Sequence, residues 1–268
     1  MSAAAGIIEP MLLAIDVGNT QTHVGTFRGP QLVEQWRFAT VREATADEVA
    51  SLLVGLLALR GLSLADIDGA IVSSVVPQLT HQYEVLSDRY LRGALLVVGP
   101  EVRTGMPIRI DNPRELGTDR LVNAIAAYER FGSACIVVDF GTSTNYDAVS
   151  ADGELLGVVL APGIETSMEA LSERAAKLPK VDFEAPAEVI GRSTITALQS
   201  GLIYGTAGQV DGIVARMREE LGVDAAAIAT GGLASGIVPF CQELSEVDDE
   251  LTLTGLRLVH ERNGAPAG

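Results

Sequence analysis

The stretch LLAIDVGNT, residues 12–20, runs from four apolar residues into an aspartate, one more apolar residue and a glycine, and then ends in small polar side chains. The apolar run predicts a buried strand. A carboxylate at the end of such a strand is costly unless a cation or a hydrogen-bond partner occupies it. The pattern returns as CIVVDFGTST, residues 135–144, which places Asp139 123 residues after Asp16. Two copies about half a chain apart indicate a duplicated domain.

The residues that follow each copy share one layout. An extended segment leads to a turn signal, which is Gly29-Pro30 after the first copy and Asp152-Gly153 after the second. A second strand-like segment then returns, over 31–38 and 154–161 respectively. Each copy therefore predicts a strand, a hairpin and a further antiparallel strand.

The remainder of the chain predicts two α/β halves. Helical spacing covers 45–59, with Thr45 as the cap ahead of Glu48. Further helices are predicted over 78–91, 118–131, 164–176, 194–220 and 251–259, and further strands over 69–77, 94–99 and 225–232. We expect one domain over 11–114 and a second over 115–263, with flexible ends at 1–10 and 264–268.

Composition restricts the class of partner. The chain is 47% apolar and 20% charged, which is typical of a globular protein. A net charge of −16 and an aromatic content of 4% disfavour nucleic acid as a partner. The longest apolar segment, 52–62, is too short to span a bilayer. Cys135 and Cys241 are too few for a disulfide scaffold or a zinc cluster, and we expect both to be buried and reduced, as in a cytoplasmic protein.

The repeated hairpin suits a phosphate group. A glycine at the tip lets the backbone approach an anion closely, and neighbouring amide and hydroxyl groups add donors. Asp16 or Asp139 would repel a phosphate directly, so the natural partner of such a carboxylate is phosphate-bound Mg²⁺, usually through water. Two such hairpins predict a cleft for the phosphates of a nucleotide, and the pair Gly231-Gly232 would let adenosine lie against the backbone.

The segment DNPRELGTDR, residues 111–120, precedes a predicted helix. Its last four residues fall at the helix N-terminus, where free N–H groups favour an anionic substrate. Arg120 can bind a carboxylate with two hydrogen bonds. Asp119 can accept a proton from a substrate hydroxyl. From position alone, however, Asp119 is an ordinary first-turn acid of the kind that the helix dipole favours.

Four segments resemble type III pantothenate kinases, which belong to the actin, hexokinase and Hsp70 superfamily. The segments are DVGNT (16–20), DNPRELGTDR (111–120), DFGTSTNYD (139–147) and GRSTITALQSGLIYG (191–205). The match runs in order from Met11 to Asn263. The resemblance implies an α/β fold of two duplicated ribonuclease H-like (actin-like ATPase) domains with an interdomain cleft. It also implies ATP-dependent phosphorylation of pantothenate, the first step of coenzyme A biosynthesis, by a homodimer.

The same resemblance assigns roles to individual residues. It makes Asp119 the proton acceptor, and it makes Asp139 the ligand of a monovalent cation, K⁺ or NH₄⁺. Asp16 would face Mg²⁺ through water. The residues implied to contact ATP are Asp16, Val17, Gly18, Asn19, Thr20, Gln21, Thr22, His23 and Thr142. Those implied to contact pantothenate are Gly117, Thr118, Asp119, Arg120 and Thr194.

The chain departs from the family pattern at four positions. Ile110 stands where the family often has a tyrosine that contacts pantothenate, and Asn145, Ser193 and Val158 also differ from the usual residues. None of these changes removes a carboxylate, the base or the arginine, so we expect an active kinase. Two alternatives stay open: a non-catalytic nucleotide-binding regulator of the same fold, and a kinase of another small hydroxy acid or sugar. A nuclease is disfavoured by the negative charge.

Overall fold

The computed structural model describes residues 10–175 and 178–264. The chain forms two compact units: the first comprises residues up to Gly105, Gly117–Val122 and residues from Leu253 onward, and the second comprises Met106–Leu116 and Asn123–Thr252. The units interleave along the chain, whereas the sequence suggested one boundary after residue 114. The ends expected to be flexible, 1–10 and 264–268, lie outside the described residues apart from Pro10 and Gly264.

The first unit is built on a five-stranded sheet of order β3-β2-β1-β4-β5. Its strands are β1 (Met11–Val17), β2 (Gln21–Arg28), β3 (Gln31–Ala39), β4 (Gly69–Ser74) and β5 (Leu95–Val97). The first three strands are antiparallel, and β4 and β5 continue the sheet in parallel with β1. β1 is therefore the central strand, and Asp16 lies at its carboxyl end.

The second unit repeats this topology in a sheet of order β10-β9-β6-β7-β8. Its strands are β6 (Cys135–Phe140), β7 (Ser143–Val149), β8 (Leu155–Pro162), β9 (Ala226–Thr230) and β10 (Glu246–Val247). Again three antiparallel strands are followed by two parallel ones, with β6 at the centre. The predicted duplication is confirmed, and Asp139 holds the position in β6 that Asp16 holds in β1.

Within residues 10–175 and 178–264, seven α-helices accompany the sheets. They are α1 (Ala46–Ala58), α2 (Pro77–Tyr90), α3 (Thr118–Phe131), α4 (Ile164–Arg174), α5 (Thr194–Leu221), α6 (Ala234–Ile237) and α7 (Leu251–Gly264). The predicted Thr45 cap is confirmed, since Thr45 and Glu48 form a complete capping box. The strand predicted over 69–77 is too long, because Pro77 already begins α2. The helix predicted over 164–176 ends at Arg174, and residue 176 lies outside the described residues.

Each unit has its own apolar core. In the first unit, β1 and β4 pack against α1 and α2, and in the second, β6 and β9 pack against α5. Because β1 and β6 are buried along nearly their whole length, their sequences are continuous apolar runs rather than alternating ones. Cys135 is buried as expected, but Cys241 is only partly buried, so that expectation was wrong for one of the two thiols. Within the described ranges, no helix is long and apolar enough to cross a membrane.

Helix α7 packs closely on α3 within the first unit. A Cβ atom at Gly255 would lie well inside van der Waals contact of the Val122 carbonyl group, which is backbone and cannot rotate away. Gly255 is thus needed for the close approach of the two helices.

We expect Gly255→Ala to destabilise the protein by about 1–3 kcal/mol or more, because α7 must shift away from α3. Gly55 lies in α1 with open space where a Cβ would stand, so Gly55→Ala should be neutral or stabilising by up to about 1 kcal/mol. Urea denaturation of both variants measures the difference. Equal effects would contradict the close packing of α7.

Candidate functional site

The first hairpin loop presents backbone at the carboxyl end of β1. Gly18 N–H donates to the Gln21 carbonyl at 3.0 Å, which closes a tight turn. A Cβ at Gly18 would stand 2.9 Å from that same oxygen, so the turn requires glycine. Asn19 and Thr20 are exposed at the tip, and Asn19 Oδ1 accepts from Arg42 at 3.1 Å. The loop therefore places an exposed amide side chain and an exposed threonine at its tip, beside a basic side chain.

The last two residues of the predicted loop, Thr22 and His23, have side chains that are buried in the first unit. The Thr22 hydroxyl pairs with the Thr40 hydroxyl at 2.9 Å, and His23 Nε2 lies 2.7 Å from Gln35 Oε1. Both side chains are buried on β2. Burial and the nearby Arg37 lower the pKa of His23 to about 4, so the imidazole is neutral at physiological pH.

The strand beside Asp16 is bonded to the start of α3 through one buried hydroxyl group. Asp16 is paired in register with Ser73 on the neighbouring strand β4. Ser73 is fully buried, and its hydroxyl bonds the Thr118 hydroxyl at 2.9 Å. The structure thus joins the strand beside Asp16 to the first residue of α3. Ser73 was not predicted as a site residue, and its only signal in the sequence is a hydroxyl at the end of an apolar strand.

Asp119 lies mostly buried in the first turn of α3. Its Oδ1 atom is buried and accepts no hydrogen bond within the described residues. A Cβ at Gly117 would overlap that oxygen, so glycine makes the room for the carboxyl group. Burial raises the pKa of Asp119, and the backbone N–H and guanidinium of Arg120 oppose the shift. A buried carboxyl group with a raised pKa and an open acceptor atom is suited to general-base chemistry.

The second hairpin places Asp139 against glycine backbone and an amide side chain. Asn123, on α3, donates Nδ2–H to Asp139 Oδ2 at 3.2 Å. On the other side, a Cβ at Gly231 would stand 2.6 Å from Asp139 Oδ1, and Gly231 has a positive φ of 94°. The backbone after β9 therefore approaches the carboxylate as closely as only glycine allows.

The remaining predicted contacts lie on other elements of the second unit. Thr142 is exposed at the tip of the hairpin, where its carbonyl accepts from the Thr166 hydroxyl at 2.8 Å. Gly232 is exposed with open space around it. Thr194 is the exposed first residue of α5, behind the capping residue Ser193. The structure thus brings Asp139, Asn123 and Gly231 together and leaves Thr194 on a separate helix terminus.

The donor groups indicate which cations could bind. Across the described part of the chain, no three His, Cys, Asp or Glu side chains cluster in a way that could hold a metal ion. Mg²⁺ is commonly bound through one or two carboxylates together with substrate phosphates. Asp16, beside the tight turn at Gly18, offers one such carboxylate. Asp139 is likewise a single carboxylate, whose Oδ2 accepts from the Asn123 amide, and one carboxylate charge matches one singly charged cation.

A family model for type III pantothenate kinases matches residues 12–216. The chain belongs to this family. A type III pantothenate kinase from Myxococcus xanthus is 51% identical over 255 residues, covering 95% of this chain and 100% of the relative. One from Frankia alni is 52% identical over 254 residues, covering 94% of this chain and 100% of the relative.

Solved structures show the same fold at low identity. A Baf family protein from Campylobacter jejuni superposes with a TM-score of 0.58 at 16% identity, covering 94% of this chain and 98% of that one. The polyphosphate/ATP-glucomannokinase from Arthrobacter gives 0.50 at 14% identity, covering 95% and 100%. With the two matching sheets, these likenesses confirm the predicted class of two duplicated ribonuclease H-like α/β units.

His23 provides a measurable consequence of burial in the first unit. Because its pKa falls from 6.5 to about 4 on folding, the unfolded chain binds more protons between these values. The free energy of unfolding should therefore fall by up to about 3 kcal/mol from this group as the pH drops from 6.5 to 4. Denaturation of the wild type and His23→Gln at several pH values isolates this contribution. Parallel pH profiles for the two proteins would contradict it.

Proposed function

We propose that this type III pantothenate kinase transfers the γ-phosphate of ATP to the hydroxyl of pantothenate, giving 4'-phosphopantothenate and ADP in the first step of coenzyme A biosynthesis. The observation that carries the proposal is the carboxyl group of Asp119, which lies mostly buried at the start of α3 beside Arg120. Its Oδ1 atom accepts no hydrogen bond within the described residues. The identity of about one half to full-length relatives of the same name supports it.

Asp119 acts as the proton acceptor. The pantothenate hydroxyl gives its proton to the Asp119 carboxylate while its oxygen forms a bond to the γ-phosphorus, and the bond from phosphorus to the β,γ-bridging oxygen breaks to release ADP. Gly117, Thr118 and Arg120 hold pantothenate, with its carboxylate bound by the guanidinium group and the N–H groups of the helix terminus. Ser73 keeps this terminus in place through Thr118.

The two hairpins bind ATP. Residues 16–21 of the first loop donate backbone and side-chain hydrogen bonds to the phosphates, and Asp16 holds Mg²⁺ through water. When bound, Mg²⁺ offsets the charge that develops on the phosphate oxygens. Thr142 binds the phosphates from the second hairpin, and Gly231-Gly232 leave room for the adenosine. Thr22 and His23 support the loop from within the sheet.

Asp139 binds a monovalent cation, K⁺ or NH₄⁺. Asn123 donates a hydrogen bond to one carboxylate oxygen, and the backbone at Gly231 lies close to the other. A fixed positive charge there offsets the negative charge of triphosphate on a protein whose own net charge is −16.

A homodimer in the cytoplasm is the proposed working form. The second unit exposes large apolar side chains on the edge strand β8, on the segment before α5 and in the first turn of α5. These are Leu156, Val159, Leu160, Val189, Ile190 and Ile195. Exposed apolar groups of this kind mark protein–protein interfaces. Thr194, the expected second pantothenate contact, lies next to Ile195.

Replacing the base should separate binding from turnover. We expect Asp119→Asn to lower kcat about 10²-fold to 10⁴-fold, because the amide cannot accept the proton, while ATP still binds. The control Asp88→Asn changes an exposed carboxylate on α2 and should leave turnover intact. A coupled ADP-release assay with and without pantothenate measures both. Wild-type ATP binding without pantothenate-dependent turnover would support the non-catalytic regulator instead.

The raised pKa of Asp119 predicts an acidic limb in the pH profile. Only the ionised carboxylate accepts a proton, so kcat/KM should fall as the pH drops through a pKa above the ordinary aspartate value of 3.8. The residual activity of Asp119→Asn should lack this limb. An identical acidic limb in wild type and variant would show that another group controls it.

A further inference from the structure

Asn123 is a fully buried amide in α3. It has no exposed surface, and its neighbours Val122 and Ala124 are equally buried. An amide in such a place is costly unless its hydrogen bonds are made. In the proposed kinase mechanism, Asn123 serves only to donate a hydrogen bond to Asp139. That contact uses the NH₂ group and leaves the carbonyl oxygen of the amide without a role.

The chemistry of the contact fixes the orientation of this amide. An ionised carboxylate is an acceptor only, so the group that faces Asp139 Oδ2 at 3.2 Å is the NH₂ of Asn123. The carbonyl oxygen of the same amide, Oδ1, takes no part in this hydrogen bond. It is buried and accepts no hydrogen bond from any described residue. The amide that bonds the Asp139 carboxylate thus also carries a buried neutral oxygen to which no described residue donates.

We infer that Asn123 is a positioning residue of the monovalent-cation site: its NH₂ group orients Asp139, and its Oδ1 supplies a neutral oxygen toward the cation or a water bound to it. K⁺ is bound in proteins by several neutral oxygens that replace its hydration shell. One carboxylate and one amide oxygen match that preference better than a cluster of carboxylates. This inference rests on the proposed cation site at Asp139.

The same residue connects the cation site with the base. Asn123 lies four residues after Asp119 on α3, so the two side chains share a helix face. An arrangement that holds Asn123 against Asp139 also fixes the turn that carries Asp119. Loss of the amide should therefore appear first as weaker cation dependence, and only secondarily as altered catalysis.

The test compares Asn123→Leu and Asn123→Ser with Val214→Ala. Val214 is a fully buried residue of α5 in the core of the second unit, so Val214→Ala controls for lost stability. Thermal unfolding is recorded in KCl and in NaCl of equal concentration, with and without Mg²⁺ and a non-hydrolysable ATP analogue. The K⁺ concentration for half-maximal turnover is then determined for each protein that is active.

We expect the wild type and Val214→Ala to unfold at a higher temperature in KCl than in NaCl, and both Asn123 variants to lose that difference. Outer groups that orient metal ligands typically contribute 10–100-fold in metal affinity, so the half-maximal K⁺ concentration should rise about tenfold or more. A K⁺ response that survives in both variants overturns the inference, as does a wild type without any K⁺ response. Because the unfolding experiment needs no pantothenate, a wild type that fails to turn pantothenate over would refute the proposed activity without deciding the role of Asn123.

Discussion

The structure depends on a carboxylate at the end of a buried central strand, a constraint that the chain meets twice. Asp16 ends β1 and Asp139 ends β6, and both strands are enclosed by neighbours on each side. A charge in that position needs polar partners close by. The second unit provides an amide and a glycine backbone around Asp139. In the first unit, Ser73 is paired in register with Asp16 on the neighbouring strand β4, and its buried hydroxyl bonds the Thr118 hydroxyl at the start of α3.

Glycine makes the close approaches that these arrangements need. Gly117 leaves space for the Asp119 carboxyl group, Gly231 lets the chain pass against Asp139, and Gly255 lets α7 lie against α3. A Cβ atom at these three positions would overlap, respectively, the Asp119 carboxyl group, the Asp139 carboxyl group and the Val122 carbonyl group. The geometry around α3 and Asp139 therefore depends on glycine at these three positions.

The electrostatics of the protein are local rather than global. A net charge of −16 gives no general attraction for an anionic substrate. In the proposed reaction, anions are bound by backbone N–H groups at the first hairpin and at the start of α3, by Arg120, and by cations held at Asp16 and Asp139. The pKa of Asp119 is also set locally, because burial of the carboxyl group raises it. A carboxylate with a higher pKa is a better proton acceptor.

The sequence by itself determined the duplication, most of the strands and helices, the capping box at Thr45 and the family, but not the short elements α6 and β10. These follow from periodicity and short motifs, which report on neighbours along the chain. Its errors were local too: Pro77 ended a strand early, and Cys241 was placed too deep. Only the tertiary structure decided that Ser73 bonds Thr118, that Asn123 donates to Asp139 and that the buried His23 side chain pairs with Gln35. Those contacts join residues from different elements, and their partners are selected by packing across the unit, which no spacing in the sequence records.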